Sequence, residues 1–161
     1  MTEDYGQIVR DVVDVVWSQG QVDRIPEFYT EDFTCHQPKQ KINWVGATKR
    51  LTWEGHDGVR EVVETVRAAF PDYTESPEHV VVEGDMVAMR MINRGTHTGV
   101  AVGSFEATGR SFEAIDTMFV RMKGGRIAEQ WGMIDQFAAA VELGFIDKTG
   151  VHVSMSGPST A

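Results

Sequence analysis

Residue types that define several classes of protein are scarce in this sequence of 161 residues. It holds one cysteine, Cys35, so an internal disulfide is excluded and a cytoplasmic location is expected. A small buried apolar side chain is the ordinary role of such a cysteine. The five histidines lack the spacing of a metal-binding motif, and we predict no metal and no cofactor.

Basic residues are also few, with 15 lysines and arginines against 24 acidic residues and a net charge of −9. Nucleic acids and anionic membranes are bound through basic surfaces, so neither is an expected partner. No apolar run approaches the ~20 residues of a membrane span, and the acidic start MTEDYGQIVR does not resemble a secretory signal. The composition is otherwise ordinary for a globular protein of one domain.

The hydrophobic pattern separates helices from strands along the chain. Apolar residues at helical spacing predict helices over 4–19, 22–30, 56–70 and 136–143. Alternation predicts strands over 32–38, 78–83, 86–94, 97–107, 110–122 and 126–134. This order indicates an α+β fold, in which a curved mixed or antiparallel sheet wraps around a pocket with three or four helices. We predict a single domain over 1–147 and a flexible tail over 148–161.

A long stretch without a predicted element, residues 39–55, carries Trp44 and Trp53. Loops of this length without structure are uncommon and are often functional. The two indoles are suited to cover a flat apolar ligand as a lid, and they are equally suited to cap the core or a dimer contact.

The strand predicted over 110–122 places one carboxylate, Asp116, among five apolar residues at the even-numbered positions. Desolvation by such a surface raises the pKa of a carboxyl group, which makes it a usable acid or base near neutral pH. The alternative is a structural ion pair of Asp116 with Arg90 or Arg94 of the preceding strand.

Three further residues are candidates for the wall of the pocket. Arg90 could neutralise Asp116 or bind an oxygen of a ligand, or it could lie at the sheet rim with its stem buried. His36 has the intrinsic pKa of a general base and could equally be a hydrogen-bonded wall residue. Gly132 interrupts a predicted strand, which indicates a bend or a close approach by another group.

Three segments carry a resemblance to a known family. They read WSQGQVDRIPEFYTEDFTCHQP, GHDGVREVVETVRAAFPDY and ATGRSFEAIDTMFVRMKGGRIAEQWGMID. Over residues 5–144 the chain resembles the SnoaL-like polyketide cyclases of the NTF2-like superfamily. The resemblance implies an NTF2-like cone, a homodimer formed through the outer sheet face, and an apolar polyketide-type substrate. We predict that Met118, Gln130, Trp131 and Gly132 contact this substrate.

Two departures from the family pattern concern the chemistry. The acid/base aspartate of the family follows the position of Trp131, where this chain has Gly132, and a histidine of the family pocket aligns near Met118. Asp116 lies two positions from Met118 on the same predicted face, so it could take over the proton transfer. Asp135 is the other nearby carboxylate, and its place before a helix indicates an N-cap.

The predicted function is a cofactor-independent cyclase or isomerase acting on an apolar polyketide-type intermediate of antibiotic biosynthesis. The pocket would hold the substrate in a reactive conformation, with Asp116 or His36 as the acid/base residue. Closure without proton transfer, such as a cycloaddition, is also open because Gly132 replaces the family acid. The alternatives are a non-catalytic domain that binds a small molecule or a partner protein, and an epoxide hydrolase that uses Asp116, Arg90 and Asp135.

Overall fold

The computed structural model describes residues 4–36, 52–103, 105–147 and 149. The helices are α1 (Tyr5–Val12), which continues as a π-helical segment (Val13–Ser18), α2 (Ile25–Phe28), α3 (Gly55–Ala69) and α4 (Gln136–Glu142). The strands are β1 (Tyr29–His36), β2 (Thr52–Glu54), β3 (Thr74–Glu83), β4 (Met86–Thr96), β5 (Ser111–Lys123) and β6 (Arg126–Ile134). Trp44 and, apart from Thr149, the predicted tail lie outside the described residues. Within the described ranges, no helix is long and apolar enough to span a membrane.

The strands form one curved, open, six-stranded sheet in the order β2-β1-β6-β5-β4-β3. β1 and β6 are parallel, and every other neighbouring pair is antiparallel. α1 and the π-helical segment pack against β3, α3 packs against β1, and α4 lies against β5. The predicted α+β architecture, a curved mixed sheet with helices across it, is confirmed.

Alternation along β5 defines the two faces of the sheet. Its even-numbered residues from Phe112 to Met122 are buried, while the odd-numbered residues from Ser111 to Phe119 are exposed. We call the buried side the inner face and the other side the outer face. The register with β4 brings the odd-numbered residues of that strand onto the inner face, as where Met91 lies opposite Asp116.

The first helix shows how local sequence sets its ends. The Asp4 carboxylate accepts a hydrogen bond from the backbone N–H of Gln7 at 3.0 Å and caps α1. Val12 and Val16 continue one buried stripe from α1 into the π-helical segment. Gly20 follows with φ at 71°, a left-handed conformation that glycine adopts without steric cost. The predicted helix over 4–19 is therefore present, but its second part is π-helical.

The predicted strand over 97–107 is wrong. The backbone of this segment docks on the end of α3, where the N–H groups of Gly99 and Val100 donate to the carbonyl oxygens of Ala69 and Ala68. A Cβ at Gly99 would lie 1.8 Å from the Ala68 oxygen, so only glycine allows this contact. Hydrogen bonds to a helix end thus replace the ladder that a strand would need.

Other strand boundaries also differ from the prediction, and β1 begins at Tyr29, within the predicted helix over 22–30. β3 begins at Thr74 rather than at 78, and β2 lies inside the stretch 39–55 that showed no element. β3 contains Pro77, although proline cannot donate to a ladder. Proline is tolerated here because β3 is an edge strand of the sheet.

Candidate active site

Four polar residues lie together on the inner face and are called the polar cluster below. They are Tyr73, which precedes β3, Glu75 on β3, Asn93 on β4 and Asp116 on β5. Their exposed fractions are 6%, 8%, 1% and 9%, so each is at least nine-tenths buried. The register explains their proximity, because Asn93 lies opposite both Glu75 and Ala114, two residues before Asp116.

Asp116 is held by a neutral neighbour. The side-chain amide of Asn93 donates to Asp116 Oδ2 at 3.1 Å. Asp116 Oδ1 and Asn93 Oδ1 are buried and have no hydrogen-bond partner among the described residues. Burial raises the pKa of Asp116 to about 6, while the hydrogen bond from Asn93 and, after it, the nearby backbone N–H of Thr117 limit the rise. This carboxyl group can therefore accept and return a proton near neutral pH.

Neither arginine considered as a partner of Asp116 reaches it. Arg90 lies on the outer face and forms an ion pair with Glu78. Arg94 also projects outwards, and its Nε lies 2.8 Å from Glu113 Oε2. The ion pair considered for Asp116 is absent because even-numbered residues of β5 lie opposite odd-numbered residues of β4. The even-numbered Arg90 and Arg94 therefore lie on the other face of the sheet from Asp116.

Glu75 is a second buried carboxyl group, which the sequence analysis did not identify. Tyr73 Oη donates to Glu75 Oε1 at 2.7 Å, and Glu75 Oε2 is buried without a hydrogen-bond partner in the described ranges. Burial, and next the charge of Asp116, raise the pKa of Glu75 to about 8. Burial, followed by the charge of Glu75, also raises the pKa of the Tyr73 phenol. At neutral pH the cluster therefore holds a largely ionised Asp116 beside a largely protonated Glu75.

A β-bulge in β3 turns Glu75 towards the inner face. From the turn at 84–85 back to His79, β3 and β4 pair in one register, and this register shifts by one residue between Pro77 and His79. Without the shift, Glu75 would lie opposite Arg94 on the outer face. Bulges re-aim side chains and are common beside active sites. Counting residues from the hairpin turn cannot reveal the extra residue, so alternation alone could not have found Glu75.

Two predicted site residues, His36 and Trp131, lie on the outer face. Their rings stack with centroids 4.8 Å apart, and His36 Nε2 lies 2.9 Å from Glu129 Oε2. The neighbouring Gln130 is 4% exposed and points inwards, as alternation along β6 requires. The sheet therefore lies between His36 and Asp116, so the two do not form one site.

Met118, Gln130 and Gly132 share the inner face with Asp116. Met118 lies opposite Gly132, and Asp116 lies opposite Ile134. Gly132 and Ile134, which lie at this end of β6, are only partly buried. A Cβ at Gly132 would lie 3.7 Å from the nearest atom, an ordinary contact, so the position where the resemblance places an aspartate can hold a side chain.

Trp53 packs on the hydrophobic core. Its ring centroid lies 6.2 Å from that of Trp17, whose Nε1 donates to Tyr29 Oη at 3.0 Å. Of the interpretations considered for this indole, the placement agrees with a cap on the core.

A separate open groove of about 500 Å³ lies between the sheet and α4. Polar groups in its wall bind one another: Arg94 pairs with Glu113, and Asp72 accepts hydrogen bonds from the backbone N–H and the hydroxyl of Thr96. None of the polar cluster lines this groove. In the described part of the chain, no group of three or more His, Cys, Asp or Glu side chains could hold a metal ion. We therefore place the candidate site at the polar cluster.

Comparisons with solved structures define the fold class. A protein "with ketosteroid isomerase-like protein fold" from Catenulispora acidiphila matches with a TM-score of 0.68 and 14% identity, over 86% of this chain and 92% of that chain. A "putative polyketide cyclase" from Acidithiobacillus ferrooxidans matches with a TM-score of 0.72 and 23% identity, over 89% and 96% of the two chains. The chain thus has the ketosteroid isomerase-like, or NTF2-like, fold.

The family model of the SnoaL-like polyketide cyclases matches residues 7–143, and the chain belongs to this family. "IdmH, a putative polyketide cyclase from Streptomyces antibioticus", is 26% identical, with a TM-score of 0.73 over 88% of this chain and 99% of that chain. No curated protein matches the chain. The predicted family is confirmed, and membership supports a cyclase- or isomerase-type role.

Proposed function

We propose that this protein is a cofactor-independent enzyme that cyclises or isomerises an apolar polyketide-type intermediate, with Asp116 as the acid/base residue. The family match supports the substrate class. One observation carries the assignment of Asp116: a carboxyl group buried to nine-tenths on the inner face has a buried oxygen with no partner among the described residues. Such an oxygen is free to accept a proton from a bound substrate.

The surroundings of Asp116 suit an apolar substrate. Its cross-strand neighbour Met91 and the nearby Met118 are buried apolar residues. Gly132 and Ile134, which lie opposite Met118 and Asp116, are only partly buried. A low-dielectric wall raises the basicity of the carboxylate, and it also excludes water from a reactive intermediate.

The residues considered for epoxide hydrolysis do not converge. Arg90 lies on the outer face with Glu78, whereas Asp116 lies on the inner face. The Asp135 carboxylate accepts a hydrogen bond from the Ala138 backbone N–H at 3.0 Å and caps α4, as predicted. These three side chains cannot orient one water molecule, so this alternative loses its basis.

The test uses β-tetralone, a flat apolar ketone with a weakly acidic benzylic C–H next to its carbonyl group. Enzyme in deuterated buffer is expected to accelerate exchange of that hydrogen, which proton NMR follows. Asp116→Asn keeps the shape of the side chain but removes the base, so the exchange rate should fall roughly a hundredfold or more. Glu113→Gln is the matched control, because Glu113 lies on the outer face of the same strand.

Each outcome has a clear meaning. Full exchange by the Asp116→Asn variant would remove the acid/base role and leave closure by positioning alone. Binding of β-tetralone to wild-type protein with exchange no faster than in buffer would favour the non-catalytic binding domain. An equal loss in the Glu113→Gln variant would show that the assay reports folding rather than chemistry.

We also propose that the protein forms a homodimer through the outer face. Ile115, Phe119 and Met133 are 44%, 53% and 66% exposed there. Exposed apolar side chains grouped on one face commonly mark an interface. Light scattering should give twice the chain mass of 17.9 kDa, and Phe119→Lys should halve that value. Val100→Lys, at an exposed residue away from the sheet, should leave the dimer intact; a monomeric wild type contradicts the proposal.

A further inference from the structure

The backbone of Glu75 is anchored to the helix that covers the inner face. Glu75 N–H donates to Ser18 Oγ at 2.9 Å, and Ser18 Oγ lies 3.2 Å from the Glu75 carbonyl oxygen. Ser18 ends the π-helical segment, and such segments often occur at functional sites. Together with the bulge, these contacts hold the carboxyl group in one orientation.

The two oxygens of Glu75 have different roles in this arrangement. Oε1 accepts the hydrogen bond from Tyr73 Oη, whereas Oε2 has no partner among the described residues although it is buried. A proton on Oε2 therefore leaves the Tyr73 hydrogen bond intact and gives the site an unused donor. Asp116 and Asn93 add two unused acceptor atoms in the same cluster.

Charges around Glu75 favour this protonated form. Among the described residues, the groups that face it from the surrounding elements are Tyr73, Asp116, Asn93 and Tyr29, none of them a cation. From α3, Arg67 directs its hydrogen bonds to backbone oxygens, including that of Tyr73. In the part of the chain that the structure describes, no ion pair involves Glu75 or Asp116. Burial and the charge of Asp116 raise the pKa of Glu75 to about 8.

We propose that Glu75 is the second catalytic residue of the site, a neutral carboxylic acid whose Oε2–H donates a hydrogen bond to the carbonyl oxygen of an enolisable apolar ketone. This inference rests on the proposed function, in which Asp116 removes the hydrogen next to that carbonyl. The two residues thereby divide the work, one accepting a proton from carbon and the other stabilising the oxygen.

The proposed step balances without any further reactant. The substrate C–H bond breaks, and its proton forms an O–H bond with Asp116. The electron pair of the C–H bond becomes the carbon–carbon double bond of the enolate, and the π electron pair of the carbonyl group moves onto its oxygen. The negative charge on that oxygen is stabilised by the hydrogen bond from Glu75. The proton on Asp116 then returns to carbon at the same or another position, which restores the carbonyl group. Alternatively, the enolate carbon forms a bond to the carbon of a second carbonyl group, whose electron pair moves onto its oxygen, and that oxygen takes the proton from Asp116.

Carbon-13 NMR titration of the carboxyl groups tests the protonation of Glu75 without any substrate. One carboxyl signal should titrate near pH 8 and disappear in Glu75→Gln. In Asp116→Asn the same signal should titrate at lower pH, because the charge that raises the pKa of Glu75 is gone. Glu83→Gln, an exposed residue on the same strand, should leave that signal unchanged. A fully ionised Glu75 at neutral pH would overturn the inference.

The β-tetralone exchange assay separates the role of Glu75 from that of Asp116. Glu75→Leu has no donor, and its exchange rate should fall roughly a hundredfold. Glu75→Gln keeps an N–H donor, so it should recover most of the rate and lose the decline that wild type shows above about pH 8. Circular dichroism checks that both variants fold.

The possible failures are distinguishable. If Asp116→Asn is inactive while Glu75→Leu matches wild type, the role of Glu75 is wrong and the proposed function stands. If the exchange rate of the Glu75→Gln variant still declines above about pH 8, another group causes that decline, and the inference fails as well. If Asp116→Asn is fully active, the proposed function itself fails, and the assignment of Glu75 fails with it.

Discussion

The two faces of this sheet use charged side chains in opposite ways. On the outer face, charged side chains of the central strands form ion pairs and contact water. Examples are Arg90 with Glu78, Arg94 with Glu113, and Arg121 with Asp85. On the inner face, Glu75 and Asp116 are bound by a tyrosine and an asparagine.

The difference shows that exposure, rather than residue type, sets the properties of a carboxyl group. Glu113 and Asp116 lie three residues apart on β5, and one is exposed while the other is nine-tenths buried. Desolvation without a cation raises the pKa of Asp116, which moves proton exchange into the neutral range. The outer face organises charge, and the inner face is able to move protons.

The largest expected effect is on the pH dependence of stability. Glu75 and Asp116 have higher pKa values folded, about 8 and about 6, than unfolded, so the folded protein binds more protons between pH 4.5 and pH 8. The free energy of unfolding should therefore fall as pH rises through this window, by several kcal/mol at about 1.4 kcal/mol per pKa unit. Urea denaturation near both ends of the window measures it.

Glu75→Gln should remove more than half of the decrease in the free energy of unfolding between pH 4.5 and pH 8, because the glutamine does not ionise. Glu113→Gln is the outer-face control and should leave the fall in place. A wild-type protein whose stability stays constant across the window would show that neither inner carboxyl is desolvated as described.

A smaller effect is expected from the hydrogen bond between Asn93 and Asp116. Asn93→Leu removes the donor that favours the ionised form, so the pKa of Asp116 should rise by about one unit. The acidic limb of the exchange profile should then move to higher pH. Arg94→Met, at the next residue on the outer face, should not move it; an unmoved limb in Asn93→Leu would contradict the assigned contact.

Gly132→Ala should stabilise the protein slightly. The position has room for a Cβ, with its nearest contact at 3.7 Å, and glycine in a strand costs about 0.5–1 kcal/mol relative to alanine. Thermal unfolding should show a small rise in midpoint. A clear loss of stability would mean that the inner face is more crowded beside Met118 than the structure shows.

The smallest effect is expected on the outer face. Arg94 and Glu113 are 45% and 59% exposed in their side chains, and pairs of this kind contribute about 0.2–1 kcal/mol. A double-mutant cycle with Arg94→Met and Glu113→Gln should give a coupling energy in that range, decreasing with added salt. A coupling energy well above this range would contradict the description of the outer-face ion pairs as weak and exposed to solvent.

Much of the fold followed from local pattern, because burial on one side imposes a visible period. The valine stripe of the first helix and the alternation around Asp116 were sufficient to place both, and Asp116 indeed lies inside. The segment at Gly99 was misjudged because its backbone docks on a helix end, which leaves no periodic signal.

The site was harder to predict because it depends on register. Alternation within one strand does not show which of its two sets of residues shares a face with a given set on the neighbouring strand. For this reason Arg90 was considered as a neighbour of Asp116, although it lies on the outer face. For Glu75 the difficulty is greater, since one extra residue near Pro77 reverses the parity of the strand. Pairing between distant parts of the chain decides both cases.

The bulge in β3 has an evolutionary consequence. Loss of the single codon for residue 78 would remove the bulge and leave the pairing on either side of it unchanged, so the glutamate at position 75 would still lie opposite Asn93. A relative that lacks the extra residue would then keep the same acid on the inner face. When such chains are aligned, a gap of one residue at this point does not by itself indicate a different activity.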